Sequence, residues 1–245
     1  MPRSDNASSA HPGSCPIAGA ALIIFSKAPI PGQVKTRLCP PLTMDEAATL
    51  HGSIVMDILE RSKTIQDVDP ILACAPSKHH PFFHAMEGRY PISLWDQIGE
   101  NLGRRMDQAL QAALTMGYVS AILVGTDLPT LSLSILQQAY QELIHCDVVL
   151  GPTLDGGYYL IGLNQPTPDL FIDIPWSTKN VLNLTQQKAR ALGLSVALLP
   201  QQRDLDTVDD LKIFIQTTQT MGQSSLSVRT TNILKTLSDR LLSRL

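Results

Sequence analysis

The sequence predicts an α/β fold, a doubly wound and mostly parallel sheet with helices on both faces. Short apolar runs rich in Val, Ile and Leu alternate with longer segments of helical periodicity, the pattern of buried parallel strands and their crossover helices. Gly, Pro and Asp cluster where the apolar runs stop. The residues able to do chemistry sit at those same stops: Lys27 to Arg37, Gln97 to Gly103, Asp127, Asp155 to Gly157, and Asp204 to Asp206. In open α/β sheets, ligands bind in the crevice outside the carboxyl ends of the strands.

Ala20 to Phe25 reads as the first buried strand, and it feeds a loop from Ser26 to Leu38. Pro29, Pro31 and Gly32 shape that loop, and Lys27, Lys35 and Arg37 charge it. Backbone N–H groups around a glycine bend, together with Lys and Arg, suit a diphosphate. The spacing is not that of a Walker loop. A solvated basic loop is the alternative, but functional loops often follow the first strand of such sheets. Thr43 to Glu46 matches a capping box and opens an amphipathic helix to about Ser62. Ile71 to Ala75 gives the second strand. His79, His80 and His84 then fall in a polar loop without a wider metal-ligand pattern. Ile92 to Trp95 is the third strand, followed by a glycine-punctuated helix start from Asp96 to Met106 and a helix to about Met116. That helix N-terminus could meet a base or a phosphate; equally, Gly99 and Gly103 could serve only the turn and close packing.

The central strand is Ala121 to Val124, ending in Gly125-Thr126-Asp127-Leu128-Pro129. It places one carboxylate at the strand tip, where it can hold a hard cation through oxygen or else cap the following helix. Ser132 can cap a helix ending near His145, and Asp147 to Leu150 is the next strand. Asp155-Gly156-Gly157 is a turn between two β runs, and its glycines beside an acid and two tyrosines suit a pocket floor. Ser177 is a candidate cap for a helix to about Leu192, and Ser195 to Leu199 is the last strand. In Asp204-Leu205-Asp206, alternation puts both carboxylates on one side of an extended segment. Thr207 with Asp210 caps the next helix, leaving Asp209 and Asp210 as ordinary first-turn acids. After a polar stretch, Ile233, Leu234, Leu237, Leu241, Leu242 and Leu245 form an apolar stripe at helical spacing. That helix is expected to pack on the domain or on a second subunit, giving a homo-oligomer, rather than on a membrane.

A chain of 245 residues can bury a real core in one large domain or two small ones. The expected division is a disordered tail (1–17), one catalytic domain (18–218), and a polar linker with an amphipathic helix (219–245). The net charge of −3 gives no support to a nucleic-acid or membrane-surface role. Cys15, Cys39, Cys74 and Cys146 are scattered, which suits a reducing compartment. The run Ile17 to Phe25 is too short to span a bilayer, and only Arg3 precedes it as a cation. A cytoplasmic protein without a membrane span is expected.

Five separated motifs then resemble one family: Phe25 to Leu38, Gly125 to Pro129, Asp155 to Gly162, Trp176 to Thr178, and Asp204 to Thr207. They look like the small bacterial glycosyltransferases of the GT-A, nucleotide-diphospho-sugar transferase superfamily, whose members often carry the label arsenosugar-biosynthesis glycosyltransferase. A more distant likeness is to the nucleotidylyltransferases of molybdenum-cofactor and deazaflavin-cofactor synthesis. The resemblance implies a GT-A-like fold and transfer of a sugar from a nucleotide sugar to a small-molecule acceptor with Mg²⁺ or Mn²⁺. It implies that Lys27, Gly32, Lys35 and Arg37 bind the diphosphate, with Gln97 and Gly99 near the base. Asp127 would hold the metal with Asp204 or Asp206, and Gly156, Gly157, Ser177 and Thr178 would line the acceptor side. Asp155 and Lys35 would be catalytic, Asp155 as the base if configuration inverts. Nucleotidyl transfer from a nucleoside triphosphate to a phosphorylated acceptor is the runner-up, and a non-catalytic nucleotide-binding protein the third reading. Whichever holds, deleting Met1 to Cys15 is expected to leave melting temperature and nucleotide binding unchanged, because that polar composition cannot form a packed element.

Overall fold

The computed structural model describes residues 19–220 and 228–242, so the N-terminal tail and Leu245 lie outside the described residues. Seven strands form one sheet: β1 (Ala20–Lys27), β2 (Val68–Ala75), β3 (Ser93–Asp96), β4 (Ser120–Gly125), β5 (Val148–Pro152), β6 (Tyr158–Leu163) and β7 (Val196–Leu198). Their spatial order is β3-β2-β1-β4-β6-β5-β7, and every pairing is parallel except those of β6 with β4 and β5. The expected doubly wound, mostly parallel sheet is therefore present.

Around the sheet lie α1 (Met44–Ser62), α2 (Pro81–Glu87), α3 (Leu102–Thr115), α4 (Leu133–Glu142), α5 (Val181–Ala191), α6 (Val208–Thr220) and α7 (Val228–Leu242). Side-chain alternation along the strands sorts the core into two layers. Leu22, Ile24, Leu72, Ile122 and Val124 pack on one face with Ile54 and Ile58 of α1 and Leu136 of α4. Ala21, Ile23, Ala73, Ala121 and Leu123 pack on the other with Met106 and Leu110 of α3.

Both expected capping boxes form. Glu46 N–H donates to Thr43 Oγ1 at 3.2 Å, and Thr43 N–H donates to Glu46 Oε2 at 2.8 Å. Likewise Asp210 N–H donates to Thr207 Oγ1 at 3.2 Å, and Thr207 N–H to Asp210 Oδ2 at 2.9 Å. Three local readings are corrected. β2 begins at Val68 rather than Ile71; Pro70 is tolerated because it pairs with Leu22 at a point where β3 has not yet begun. The histidine segment is not a loop throughout: His80 Nδ1 accepts from Phe82 N–H, Pro81 starts α2, and Phe83 and Met86 are buried. Ser177 caps nothing, since its φ of 64° is left-handed and α5 starts only at Val181.

From the apolar stripe of the C-terminal helix, Leu234 and Leu237 join the α1-side core and Ile233 packs against it, while the side chains of Leu241 and Leu242 lie outside the described residues. On α1, the buried Asp57 accepts from Thr230 Oγ1 at 2.6 Å and pairs with Arg229 at 3.4 Å. Among the described residues, no helix is long and apolar enough to cross a membrane. Replacing Thr230 by Val keeps the shape and removes a donor from a buried carboxylate. It is expected to lower unfolding free energy by about 1–3 kcal/mol in urea titrations; an unchanged midpoint would mean that the helix is not docked in this way.

Candidate functional site

The parallel strands β1, β2 and β4 end at one edge of the sheet, and so does β5. Because β6 runs back, the β5–β6 turn lies at that edge as well, and the segment leaving β7 arrives there alongside it, bridging Thr153 to Gln202. All the chemistry-bearing segments named in the sequence are gathered here.

At their centre is Lys35. Its backbone is left-handed, with φ 50° and ψ 32°, and its side chain turns inward until only 3 % is exposed. The ammonium donates to Asp127 Oδ1, to the Leu205 carbonyl at 2.7 Å, and to Asp206 Oδ1 at 3.2 Å. The Leu205 N–H in turn donates to the Asp127 carbonyl at 2.8 Å, fixing the two acidic segments side by side. Burial works against the lysine charge, but the Asp127 and Asp206 carboxylates outweigh it and raise its pKa. For Asp127, desolvation opposes ionisation, yet the Lys35 ammonium prevails and holds the carboxyl below its usual range. Asp127 is thus no helix cap. Ser132 fills that role for α4, accepting from Ile135 N–H at 3.3 Å.

Two chambers meet at this cluster. The first, about 580 Å³, is cationic: Lys27, Arg37 and Arg105 line it with Gln33, Gln97 and Asn101. Gln97 is anchored by its amide, which donates to the carbonyls of Ala73 at 2.9 Å and Ser26 at 3.3 Å. Arg105 is braced by its Nε–H on the Gly99 carbonyl at 3.0 Å. The second chamber, about 420 Å³, holds Asp155 and Asp204 with Lys179, Thr153, Tyr158, Trp176 and Thr178. Arg37, Asp127, Ser177 and Asp206 belong to both.

In the second chamber, burial and then the charges of Asp155, Asp127 and Asp206 push the Asp204 carboxyl up to about 7. Its Oδ1 is buried without a hydrogen-bond partner. Asp155 Oδ1 accepts from Thr153 Oγ1 at 2.5 Å and from Gly157 N–H at 3.1 Å, so one of its oxygens shapes the turn. Among the described residues, no three His, Cys, Asp or Glu side chains are grouped as a ready metal site. Of the predicted ligands, Asp127 and Asp206 are joined instead by the Lys35 ammonium. The donor set itself, carboxylates plus an unpartnered oxygen on Asp204, has the all-oxygen chemistry that suits Mg²⁺ or Mn²⁺.

Most residues expected at the site reach one chamber or the other. Gly32, Gly99 and Gly156 do not line either. Gly99 has φ 139°, and a Cβ there would lie 2.8 Å from the Arg105 nitrogen, so it serves the turn into α3. Gly156, with φ 91°, backs directly onto Lys179; a Cβ would lie 2.0 Å from the Lys179 carbonyl oxygen. Sequence reasoning missed Arg105, although it follows Gly103 in the helix start already singled out. It also missed His51, which α1 buries beneath the first chamber. His51 Nε2–H donates to the Lys27 carbonyl at 2.9 Å, and burial lowers its pKa, favouring the neutral ring. No local pattern marks it.

The sequence and fold match known proteins. Residues 58–178 match the family "Uncharacterized protein conserved in bacteria (DUF2064)". The chain is 32% identical to a "putative nucleotide-diphospho-sugar transferase" from Desulfovibrio desulfuricans G20, covering 92% of this chain and 97% of that one with a TM-score of 0.83. It is 10% identical to a 4-diphosphocytidyl-2C-methyl-D-erythritol synthase from Anaerococcus prevotii, covering 83% and 99% with a TM-score of 0.55, a likeness of fold alone. A molybdopterin-guanine dinucleotide biosynthesis protein A from Archaeoglobus fulgidus matches at 14% identity, covering 89% and 99%, with a TM-score of 0.48. No curated protein sequence matches.

The wall between α3 and the 176–179 segment is packed without slack. A Cβ on Gly103 would lie 2.3 Å from the Trp176 indole, which also stacks on Phe171. Gly103→Ala is therefore expected to displace the ring and to lower stability by about 1–3 kcal/mol. With only Trp95 and Trp176 in the chain, the displacement should appear as a shift in tryptophan emission. Gly156→Ala should cost more, because backbone rather than a side chain stands in the way. Native-like emission and stability in both variants would contradict this packing.

Proposed function

The chain belongs to the DUF2064 family and has the nucleotide-diphospho-sugar transferase fold, and from that premise we propose that it is a metal-dependent glycosyltransferase moving a sugar from a nucleotide-diphosphate sugar to a small acceptor. The observation that carries this reading is the division of charge in the cleft. A cationic chamber meets an acidic one, and the meeting point is Asp127, Lys35 and Asp206.

Breaking a sugar–diphosphate bond requires the charge on the departing diphosphate to be neutralised where it develops. Lys27, Arg37 and Arg105 line the first chamber, so these three would take the phosphate oxygens, while Gln97 on the same wall would face the base. Asp127, with Asp204 or Asp206, would hold Mg²⁺ or Mn²⁺, which when bound supplies further charge neutralisation at the leaving group. In the second chamber an acceptor hydroxyl meets the carboxylates of Asp155 and Asp204, either of which can take its proton. Ser177, left-handed in backbone, lines both chambers and would offer its hydroxyl to either substrate.

The same geometry bears on nucleotidyl transfer, which needs a phosphorylated acceptor. Such an acceptor would bring its negative charge into a chamber where four carboxylates (Asp127, Asp155, Asp204 and Asp206) outnumber two cations (Arg37 and Lys179), whereas a neutral hydroxyl compound would not. Incubation with panels of nucleotide sugars and nucleoside triphosphates, with Mn²⁺, separates the two. Release of a nucleoside diphosphate from a nucleotide sugar is the expected result; pyrophosphate released from a triphosphate, with no diphosphate from any sugar donor, would favour nucleotidyl transfer instead.

Two substitutions test the roles. Arg37 is 75 % exposed and contributes little to the fold. Arg37→Ala is expected to weaken nucleoside diphosphate binding by about tenfold in calorimetric titrations, with the ligand-free melting temperature unchanged. Asp155→Asn keeps the turn's acceptor oxygen; it is expected to reduce turnover by about a hundredfold and leave diphosphate affinity nearly unchanged.

A further inference from the structure

The lysine at the junction of the chambers does not behave as the phosphate ligand that its loop suggests. Its ammonium has three donors, and all three are spent on protein oxygens: Asp127 Oδ1, the Leu205 carbonyl and Asp206 Oδ1. The side chain reaches that point from inside the protein and is 3 % exposed, while the carboxylates it joins are 56 % and 42 % exposed and open to the cleft. Two carboxylates and a carbonyl converging on one point make an oxygen-only environment of the kind a hard divalent cation selects. The protein has placed a cation of its own there.

We propose that Lys35 is a tethered counter-cation: its ammonium holds the place of the divalent ion between Asp127 and Asp206, and lysine and metal exclude one another at that position. The inference builds on the metal-dependent reading above and extends it to regulation of the metal site. A divalent ion seated on the same Oδ1 atoms would lie close beside the ammonium, and like charges at that separation repel strongly in a partly buried site. The lysine therefore has to leave before the metal is held. Its long flexible stem allows this, and Lys35 already forms part of the wall of the chamber where a diphosphate would lie. An arriving diphosphate offers the ammonium new partners and frees the carboxylates, so nucleotide and metal reinforce each other's binding. Without nucleotide, the lysine keeps the site closed to divalent ions.

The test is Mn²⁺ binding, followed by electron paramagnetic resonance and calorimetry at one fixed pH. Wild type, Lys35→Met, Lys35→Gln and the double variant Lys35→Met/Asp127→Asn are compared, each checked for native circular dichroism. Two replacements of Lys35 are used so that a folding defect in one leaves the other. Without nucleotide, removing the ammonium is expected to tighten Mn²⁺ binding by about tenfold or more. Adding Asp127→Asn should abolish the gain. With UDP, GDP, ADP and CDP supplied in turn, wild type should gain Mn²⁺ affinity and the Lys35 variants should gain much less. If the folded Lys35 variants bind Mn²⁺ no more tightly than wild type, while wild type still takes up Mn²⁺ with a nucleotide, the counter-cation role is overturned and the functional reading stands. A gain that survives Asp127→Asn would place the metal elsewhere and also overturn it. Absence of Mn²⁺ binding in every variant, with and without nucleotides, would overturn both the metal-dependent reading and the proposal.

Discussion

Keeping a lysine ammonium charged out of water is the constraint around which this cleft is built. A buried cation is tolerable only when its donors are met by oxygens of opposite charge or high polarity. Here those oxygens come from the tip of β4 and from the segment leaving β7, two regions remote in sequence. The Leu205 N–H bond to the Asp127 carbonyl fixes their spacing, and the left-handed backbone at Lys35 aims the side chain between them. Both chambers take their common wall from this arrangement. The sheet order matters for the same reason: only with β6 reversed do the β5–β6 turn and the segment after β7 share an edge with β1 and β4.

Much of this was legible in the sequence where the signal is local. Capping boxes at Thr43 and Thr207 depend on residues three apart, and both formed. Buried strands announce themselves by composition, so β1, β4, β5 and β6 fall close to where their apolar runs place them. The expectation that the residues able to do chemistry gather at strand ends follows from topology, and the fold brings Lys27, Arg37, Gln97, Asp127, Asp155 and Asp204 to the walls of the two adjoining chambers. What could not be read is what depends on distant partners. Lys35 meets Asp127 and Asp206 across separations of 92 and 171 residues, and nothing in a basic loop reveals that its middle cation is consumed by the fold. Asp204 and Asp206 look equivalent in an alternating stretch. Yet one has an oxygen buried without a partner in the chamber that also holds Asp155, and the other is half-open beside Lys35 and Arg37. The seven-residue α2 escaped because its histidines drew a metal question, while the cap, the proline and Phe83 were the informative residues. Ser177 misled for the opposite reason: a serine three or four residues ahead of a helix resembles a cap, and only its left-handed φ shows otherwise.

The two chambers draw on different stretches of the chain. Nearly every side chain of the cationic one comes from Lys27 to Asp127, and most of the acidic one comes from Thr153 to Asp206. Lys35 rivets the first stretch to the second at the site itself, beside the β4–β6 pairing, the Arg37–Asp206 ion pair and the packing of Trp176 on Gly103. Such a division makes the protein modular in inheritance as well as in shape. Changes in the later segment that keep Asp206 and the Leu205 carbonyl around the ammonium can alter what the second chamber admits, because most of the phosphate-facing side chains come from the earlier stretch. Diversity of partners is then cheap to acquire, provided that the rivet is left in place.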